Sequence, residues 1–221
     1  MRLITAARMH LEMEYSLGVD RLRFQPKKRA PRKRPIAAAA PAADSSKAAA
    51  LKALENELNG CCRCGLSKDR THLVFGVGNP DAELMFVGEA PGRDEDEQGI
   101  PFVGRAGQLL TDIIRSIGLT RDDVYIANIC KCRPPQNRTP TPEESALCFP
   151  YLRRQIEIIQ PRIIVVLGNV PMRMFLQAEQ GITKIRGQWG EWNGILVMPT
   201  YHPAYLLRNP SAKREVWTDM Q

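Results

Sequence analysis

Residues 124–138 read Val-Tyr-Ile-Ala-Asn-Ile-Cys-Lys-Cys-Arg-Pro-Pro-Gln-Asn-Arg. The first four predict a strand, and the strand runs directly into an amide, two cysteines, cations and a rigid Pro-Pro turn. An amide is able to read the edge of a base, and a cysteine at a strand end is able to anchor a metal or a cluster. The stretch therefore predicts a recognition pocket built beside a metal site.

Three other apolar runs of strand length accompany residues 124–129, and helical patterns lie between them. The runs are Leu84–Gly88, Ile163–Leu167 and residues 195–198; the helical segments are Lys47–Leu58, residues 107–117, Pro142–Ile159 and residues 171–177. Strands that are continuously apolar are buried on both faces, and alternation with helices is typical of parallel sheets. We predict an α/β fold, a three-layer α/β/α sandwich around a central, mainly parallel, four-stranded sheet.

The composition bounds the class of protein. The chain has 221 residues, 43% of them apolar, which is enough for one packed domain and a tail. No run of 18 apolar residues occurs, so we expect no membrane span. The N-terminus lacks the apolar region of a signal peptide, which predicts a cytoplasmic location. Six cysteines in a reducing compartment favour metal ligation or catalysis over disulfides.

The N-terminal part differs in composition from the rest. We predict a short helix within residues 1–25 and a disordered, basic, Pro/Ala-rich linker over residues 26–46, with a folded domain over residues 47–221. Six cations between residues 27 and 34 nearly account for the net charge of +7. This linker is either a solvated tether or a non-specific contact to DNA phosphates.

Polar residues follow the predicted strands where they end. Gly88-Glu89-Ala90-Pro91-Gly92 follows the first strand, Asn128 the second, and His202 the fourth. Because ligands bind beyond the carboxyl ends of parallel strands, we expect Glu89, Asn128 and His202 to converge on one crevice. A single histidine is more often structural, but three polar strand ends at one cleft favour a functional site.

Four cysteines form a candidate metal site. Cys61 and Cys64 are a C-x-x-C pair, Cys132 follows the second strand, and Cys148 falls in the next predicted helix. Four thiolates hold either a zinc ion or a [4Fe–4S] cluster, and the spacing does not decide between them. Cys130 is predicted to be a small buried apolar residue.

Six motifs in order give the predicted domain a specific resemblance. They are Cys61-Cys62-Arg63-Cys64, Val74-Phe75-Gly76-Val77-Gly78-Asn79-Pro80, Gly88-Glu89-Ala90-Pro91-Gly92, Pro101-Phe102-Val103-Gly104, residues 128–138 and residues 202–208. Together they resemble the iron–sulfur, or family 4, uracil-DNA glycosylases over residues 47–221. The resemblance implies a [4Fe–4S] cluster on Cys61, Cys64, Cys132 and Cys148, with a structural role.

The resemblance also implies an activity. Such an enzyme hydrolyses the N-glycosidic bond between uracil and deoxyribose, leaving an abasic site, and initiates base excision repair of deaminated cytosine. The implied partner is DNA that contains uracil, and we expect the chain to act as a monomer. The base must leave the helical stack, because its C1′ is unreachable inside a duplex.

Roles for individual residues follow by similarity. Phe102 is expected to stack on the flipped uracil, Asn128 to pair with its N3–H and O4, and His202 to donate to O2 as negative charge grows there. Glu89, Ala90 and Pro91 belong to the same substrate site. Ala90 stands where better-known uracil glycosylases carry a water-orienting aspartate, and Glu89, the nearest carboxylate, is either catalytic or structural.

Specificity and DNA contacts are assigned in the same way. Glu95, or a neighbour in the acidic loop Asp94–Glu97, is our candidate for the residue that excludes the methyl group of thymine. Leu206 is predicted to enter the minor groove as a wedge, with a core position as the alternative, and Arg208 to contact a phosphate. We expect Lys131, Arg133 and Arg138 to lie near the DNA backbone.

Other classes of protein are weighed against this one. A catalytically silent DNA-binding module with a cluster or zinc would not need Asn128, Phe102 and His202 together. A ferredoxin would place its ligands close together in sequence, whereas these span most of the domain. A glycosylase that is trapped covalently on its product would carry a basic insertion after Gly104, and none is present. Activity on hypoxanthine or other deaminated bases stays open.

Overall fold

The computed structural model describes residues 46–221, so the predicted N-terminal helix and basic linker lie outside the described residues. Residues 46–221 belong to one compact unit. Within the described part of the chain, no helix combines the length and hydropathy that crossing a bilayer requires. The exact start of the folded domain near residue 47 stays a prediction.

The centre of the fold is a six-stranded sheet formed by residues 77–200. Its strands are β1 (Val77–Gly78), β2 (Leu84–Gly88), β3 (Tyr125–Asn128), β4 (Ile163–Leu167), β5 (Gly190–Trp192) and β6 (Ile195–Thr200), in the spatial order β1-β3-β2-β4-β6-β5. The four central strands are parallel, which confirms the predicted α/β class and the mainly parallel sheet. The predicted count of four strands was wrong, because β1 and β5 pair antiparallel at the edges and are too short to show a period in sequence.

Helices connect and cover the strands. They are α1 (Lys47–Leu58), α2 (Arg93–Gln98), α3 (Arg105–Ser116), α4 (Pro142–Ile159), α5 (Asn169–Leu176), α6 (Ile182–Ile185), α7 (Pro203–Arg208) and α8 (Lys213–Met220). The bounds of α1 and α4 were predicted to the residue. Local signals explain where each of these two helices starts. The Ser46 side chain caps α1, and Thr141 and Glu144 form a capping box around Pro142 at the start of α4.

Each central strand contributes to two separate cores, which makes the three layers. Met85 and Val87 pack with buried residues of α1, α4 and α5 on one face of the sheet. Leu84 and Phe86 pack with Leu110 of α3 on the other face. Alternate side chains of a strand point to opposite faces, so continuously apolar strands require helices on both.

The parallel register aligns the strand ends. Gly88 pairs with Asn128, and Leu167 pairs with Thr200. The residues that follow β2, β3 and β6 therefore emerge at the same edge of the sheet. This edge carries the site described next.

Candidate active site and cysteine pocket

A cavity of about 530 Å³ opens at the carboxyl edge of the sheet. It brings together the three predicted strand-end residues Glu89, Asn128 and His202. The other predicted residues on its wall are Ala90, Pro91, Glu95, Phe102, Arg138 and Arg208. Three residues predicted to contact DNA, Leu206, Lys131 and Arg133, are not part of this wall.

Asn128 ends β3 and is buried at the back of this cavity. Its Oδ1 atom is buried and has no hydrogen-bond partner within residues 46–221. An unpaired buried acceptor costs about 1–3 kcal/mol, so its persistence in a cavity is typical of a ligand-binding group. Gly88, its neighbour in the sheet, makes the room, because a Cβ there would overlap both Oδ1 and the Phe102 ring.

Phe102 forms the aromatic wall of the cavity. Its ring is 6% exposed and lies with its centroid 5.6 Å from that of His202, tilted by 32°. The backbone of Phe102 has φ 55°, in the left-handed region that bulky residues rarely adopt. A residue held in such a conformation at a cavity wall requires strong support from its neighbours.

His202 is the N-cap of α7, and its Nδ1 accepts a hydrogen bond from the Ala204 amide at 3.1 Å. Nδ1 is therefore unprotonated, and the neutral ring carries its proton on Nε2. Burial, with a smaller contribution from the positive charge of Arg208, lowers the pKa of His202 to about 4. The site thus contains a neutral imidazole that donates through Nε2.

Glu89 is the carboxylate that follows β2 on the cavity wall. Burial raises the pKa of Glu89 above its ordinary value, and a hydrogen bond with Thr139 opposes that rise. A carboxylate whose charged form is destabilised in this way is a stronger base than one in water.

Glu95 holds two loops of the cavity together. Its Oε2 accepts from the amide of Gly92 at 3.0 Å, and its Oε1 accepts from the amides of Val103 and Gly104, each at 2.9 Å. The carboxylate therefore joins the loop after β2 to the loop that carries Phe102. The sequence did not predict this role.

The mouth of the cavity is basic and partly aromatic. Arg93, Arg105 and Tyr205 line it beside the predicted Arg138 and Arg208, and sequence reasoning did not single out the first three. Arg93 follows Gly92, Arg105 follows Gly104, and Tyr205 lies three residues after His202. Arg138 is already held by both carboxylate oxygens of Glu144, at 2.7 and 2.8 Å, so a phosphate would have to compete with this ion pair.

The structure corrects the prediction for Leu206. Its side chain is 1% exposed and belongs to the main core, because α7 turns this face inward. Leu207, the next residue on the helix, is 38% exposed, and Tyr205 is 37% exposed. Leu207 is therefore the leucine available to enter DNA, and the core alternative holds for Leu206.

The prediction that Lys131 lies near the DNA backbone was also wrong. Lys131 is 1% exposed, and its ammonium donates to Gln155 Oε1 at 2.6 Å and to the carbonyl of Asn128 at 3.0 Å. Burial lowers the pKa of Lys131 to about 8. Lys131 lies between Cys130 and Cys132 in the segment after β3, and all three residues are buried. Its side chain therefore points into the protein.

The four predicted metal ligands line one small pocket. Cys61, Cys64, Cys132 and Cys148 all contribute to its wall, whereas Cys62 and Cys130 do not. Arg70 donates to the Cys132 sulfur at 3.1 Å, and the Lys131 amide donates to the Cys148 sulfur at 3.3 Å. Hydrogen bonds of this kind stabilise thiolates, the form that binds metals.

The donor set has the chemistry of a cluster site. A [4Fe–4S] cluster is held by four cysteines around it, and four cysteines line this pocket. Within residues 46–221, no group of three or more His, Cys, Asp or Glu side chains is arranged to hold a metal ion.

Comparison with known proteins gives consistent matches. Residues 75–221 match the family model of the Uracil DNA glycosylase superfamily. The chain is 50% identical over 163 residues to the Type-4 uracil-DNA glycosylase of Thermotoga maritima, covering 73% of this chain and 85% of that one. It is 47% identical over 181 residues to the Type-4 enzyme of Sulfurisphaera tokodaii, covering 77% and 82%. A Type-5 uracil-DNA glycosylase of Pyrobaculum aerophilum is 35% identical over 147 residues, covering 58% and 64%.

Proposed function

The chain belongs to the uracil DNA glycosylase superfamily, and we propose that the cavity at the carboxyl edge of its sheet is where it removes uracil from DNA. The chain is a uracil-DNA glycosylase, a hydrolase of N-glycosyl bonds in DNA repair. Uracil leaves the duplex stack, enters the cavity and is cleaved from its deoxyribose, which leaves an abasic site.

The unpaired Oδ1 of Asn128 is the observation that carries this proposal. Uracil presents an N3–H donor and an O4 acceptor, and a carboxamide complements both. Cytosine presents an acceptor and a donor at those positions, so the pairing inverts and two buried groups stay unpaired. Each such mismatch costs about 1–3 kcal/mol, which is enough to spare cytosine. The Phe102 ring supplies the stacking surface, and Glu95 remains our candidate for excluding the thymine methyl.

His202 stabilises the leaving group. As the glycosidic bond breaks, negative charge grows on uracil O2, and a donor placed there lowers the barrier. The hydrogen bond from Ala204 fixes the proton of His202 on Nε2, so the ring donates without first being protonated. This donation keeps the proton on the imidazole and leaves uracil as an anion.

Glu89 orients the attacking water in this proposal. Its burial and raised pKa suit a group that accepts a proton as water adds to the sugar. Ala90 has no polar side chain and so cannot orient a water, as the aspartate of better-known uracil glycosylases does. In our proposal Glu89, the preceding residue, does this instead. Glu89 is the carboxylate that directly follows β2.

DNA binds at the basic mouth of the cavity. Arg208 and Arg105 are exposed on its rim and provide charges for phosphates. Leu207, rather than Leu206, fills the space that the flipped base leaves. We propose, as we expected from the sequence, that the enzyme acts as a monomer.

The cysteine pocket holds a [4Fe–4S] cluster through Cys61, Cys64, Cys132 and Cys148. When bound, the cluster would join three parts of the chain: the segment that follows α1, the segment that follows β3, and the helix α4. Thiolate ligands require a reducing compartment, and this agrees with the cytoplasmic location that we predict.

Excision from one labelled oligonucleotide series tests the proposal. The series contains U opposite G, U opposite A, single-stranded U and T opposite G, with alkali to break abasic sites. We expect cleavage at U and not at T. Asn128→Ala should lower the rate about 10- to 100-fold, the equivalent of about 1–3 kcal/mol. His202→Ala should also lower the excision rate.

Asn56→Ala, at an exposed asparagine of α1, is the matched control and should keep the wild-type rate. DNA binding without cleavage by the cluster-loaded protein would instead favour a silent DNA-binding module. Equal activity of Asn128→Ala and wild type would remove Asn128 from the pocket assignment.

A further inference from the structure

Arg121 lies between α3 and β3, outside the residues that line the cavity. Its Nη2 donates to the carbonyl of Pro101 at 2.8 Å, and its Nη1 donates to the carbonyl of Phe102 at 3.1 Å. Nη1 also lies 3.4 Å from the Thr111 hydroxyl on α3. One planar guanidinium therefore binds two successive carbonyls of the loop that carries the aromatic wall.

That loop needs support because of its backbone. Phe102 has φ 55°, which is sterically unfavourable for a residue with a Cβ. Rotation of this φ to the ordinary negative range would redirect both the ring and the carbonyl. The contact between Arg121 and the Phe102 carbonyl exists only in the observed conformation, so it stabilises that conformation selectively.

The other polar groups of the loop are held from the opposite side. Glu95 accepts from the amides of Val103 and Gly104, both at 2.9 Å. The Glu95 carboxylate thus binds the amides of residues 103 and 104. The Arg121 guanidinium binds the carbonyls of residues 101 and 102, directly before them. Gly107 completes the arrangement, because a Cβ at that position would overlap the Phe102 carbonyl.

The chemistry of arginine suits this task. Burial lowers the pKa of Arg121, but an arginine stays charged in proteins. Among residues 46–221, none of the observed salt bridges includes Arg121. The half-buried guanidinium therefore uses carbonyl oxygens as its main partners, and its rigid fork fixes their relative position.

We propose that Arg121 is a positioning residue for uracil excision, which holds the Phe102 ring in the orientation that stacks on the flipped base. The inference rests on the proposed stacking role of Phe102. Arg121 does not touch the substrate and acts through Phe102 alone. Lysine would be a poor replacement, since one ammonium does not reproduce a planar two-pronged contact.

A double-mutant cycle tests the inference, using Arg121→Met, Phe102→Ala and the variant with both changes. The measurement is the single-turnover rate of uracil excision with enzyme in excess. Arg121→Met should lower this rate about 10- to 100-fold, as misplacement of a positioning group does. In the Phe102→Ala background, Arg121→Met should lower the excision rate by less than about 2-fold further, because there is no ring left to position.

Binding measurements separate positioning from general damage. Arg121→Met should bind DNA with a tetrahydrofuran abasic analogue as tightly as wild type, since that ligand has no base. Free uracil should inhibit it more weakly than it inhibits wild type. Arg115→Met, at an exposed arginine of α3, is the matched control and should retain the wild-type rate.

Two outcomes would overturn the inference: Arg121→Met keeping the wild-type rate, or its full loss reappearing in the Phe102→Ala background. Wild-type activity of Phe102→Ala alone would instead refute the stacking role in the proposed function. Thermal unfolding of each variant defines a temperature at which all are folded. If Arg121→Met does not fold, Arg121→Lys replaces it: an excision rate and a uracil inhibition both weaker than those of wild type support positioning, and wild-type values of both overturn it.

Discussion

The Nδ1 of His202 accepts a hydrogen bond from the amide of Ala204 at 3.1 Å, at the first turn of α7. This bond fixes the tautomer of the ring, because an accepting nitrogen carries no proton. Burial lowers the pKa of His202 to about 4. The backbone of a short helix thus fixes the tautomer of the side chain that, in our proposal, meets the leaving group.

This relationship predicts the pH dependence of the enzyme. His202 stays neutral above its pKa of about 4, so its ionisation should not reduce kcat/KM between about pH 5.5 and 8. The unfolded chain takes up this proton near its ordinary value of 6.5, so the contribution of His202 to stability is present above 6.5 and is lost as the pH falls toward 4. Nitrogen NMR of the His202 ring should report protonated Nε2 and bare Nδ1 at pH 7. A His202 signal that titrates near 6.5 would contradict the assignment.

Glu89 should produce the acid limb of the pH–rate profile. Its pKa is raised by burial, so the active carboxylate form is lost as the pH falls through a value above the ordinary 4.5. Glu89→Gln should lower the rate about 10²- to 10⁴-fold, the usual contribution of a general base, and should abolish this limb. An unchanged profile in Glu89→Gln would make Glu89 structural and leave the water to backbone groups.

Gly88→Ala should block the pocket. The added Cβ would overlap Asn128 Oδ1 and the edge of the Phe102 ring, so one of the two must move. Because a displacement of about 1 Å in a site is able to cost 10²-fold in rate, we expect a loss of about that size. Gly65→Ala is the matched control, since its Cβ would meet no atom within 4 Å. Excision rates and inhibition by free uracil should fall together in Gly88→Ala and stay unchanged in Gly65→Ala.

Substitutions of Leu206 and Leu207 should separate an effect on stability from an effect on DNA binding. Leu206→Ala removes a buried side chain and should lower the free energy of unfolding by about 2–5 kcal/mol. Leu207→Ala removes an exposed one and should change it by less than about 0.5 kcal/mol. Leu207→Ala should instead slow excision from duplex DNA more than from single strands, where no gap needs filling. The reverse pattern in urea unfolding and excision assays would restore Leu206 as the wedge.

Cluster assembly should distinguish the cysteines. Cys148→Ser should lose iron and visible absorbance, because it removes one of the four sulfurs that face the pocket. Cys62→Ser should retain both, since Cys62 is exposed and outside the pocket wall. Iron content per chain after anaerobic purification is the measurement. Loss of iron in Cys62→Ser and its retention in Cys148→Ser would reverse the ligand assignment.

Much of this architecture could be predicted from local patterns. Four apolar runs separated by helical patterns predicted the parallel strands, and the parallel geometry then predicted that Glu89, Asn128 and His202 meet at one edge. The structure brings the three together on one cavity wall. The bounds of α1 and α4 also agree with the prediction, and side-chain caps at Ser46 and Thr141 explain where these helices start.

The failures share a different cause. The edge strands β1 and β5 have two and three residues, so no period was visible. Leu206 and Leu207 are the same residue type at adjacent positions, and only the packing of α7 decides which one is buried. Lys131 reads as a surface cation in sequence, yet its partner Gln155 is 24 residues away.

The sequence by itself determined the family, the order of the four central strands, and the chemical groups at the strand ends, because periodicity and motif spacing are local properties. The tertiary structure decided which side chains are buried, which tautomer His202 adopts, and which residue holds Phe102. The bond from Arg121 to the Phe102 carbonyl spans 19 residues. Contacts of this kind exist only after separate elements have packed, so no local pattern contains them.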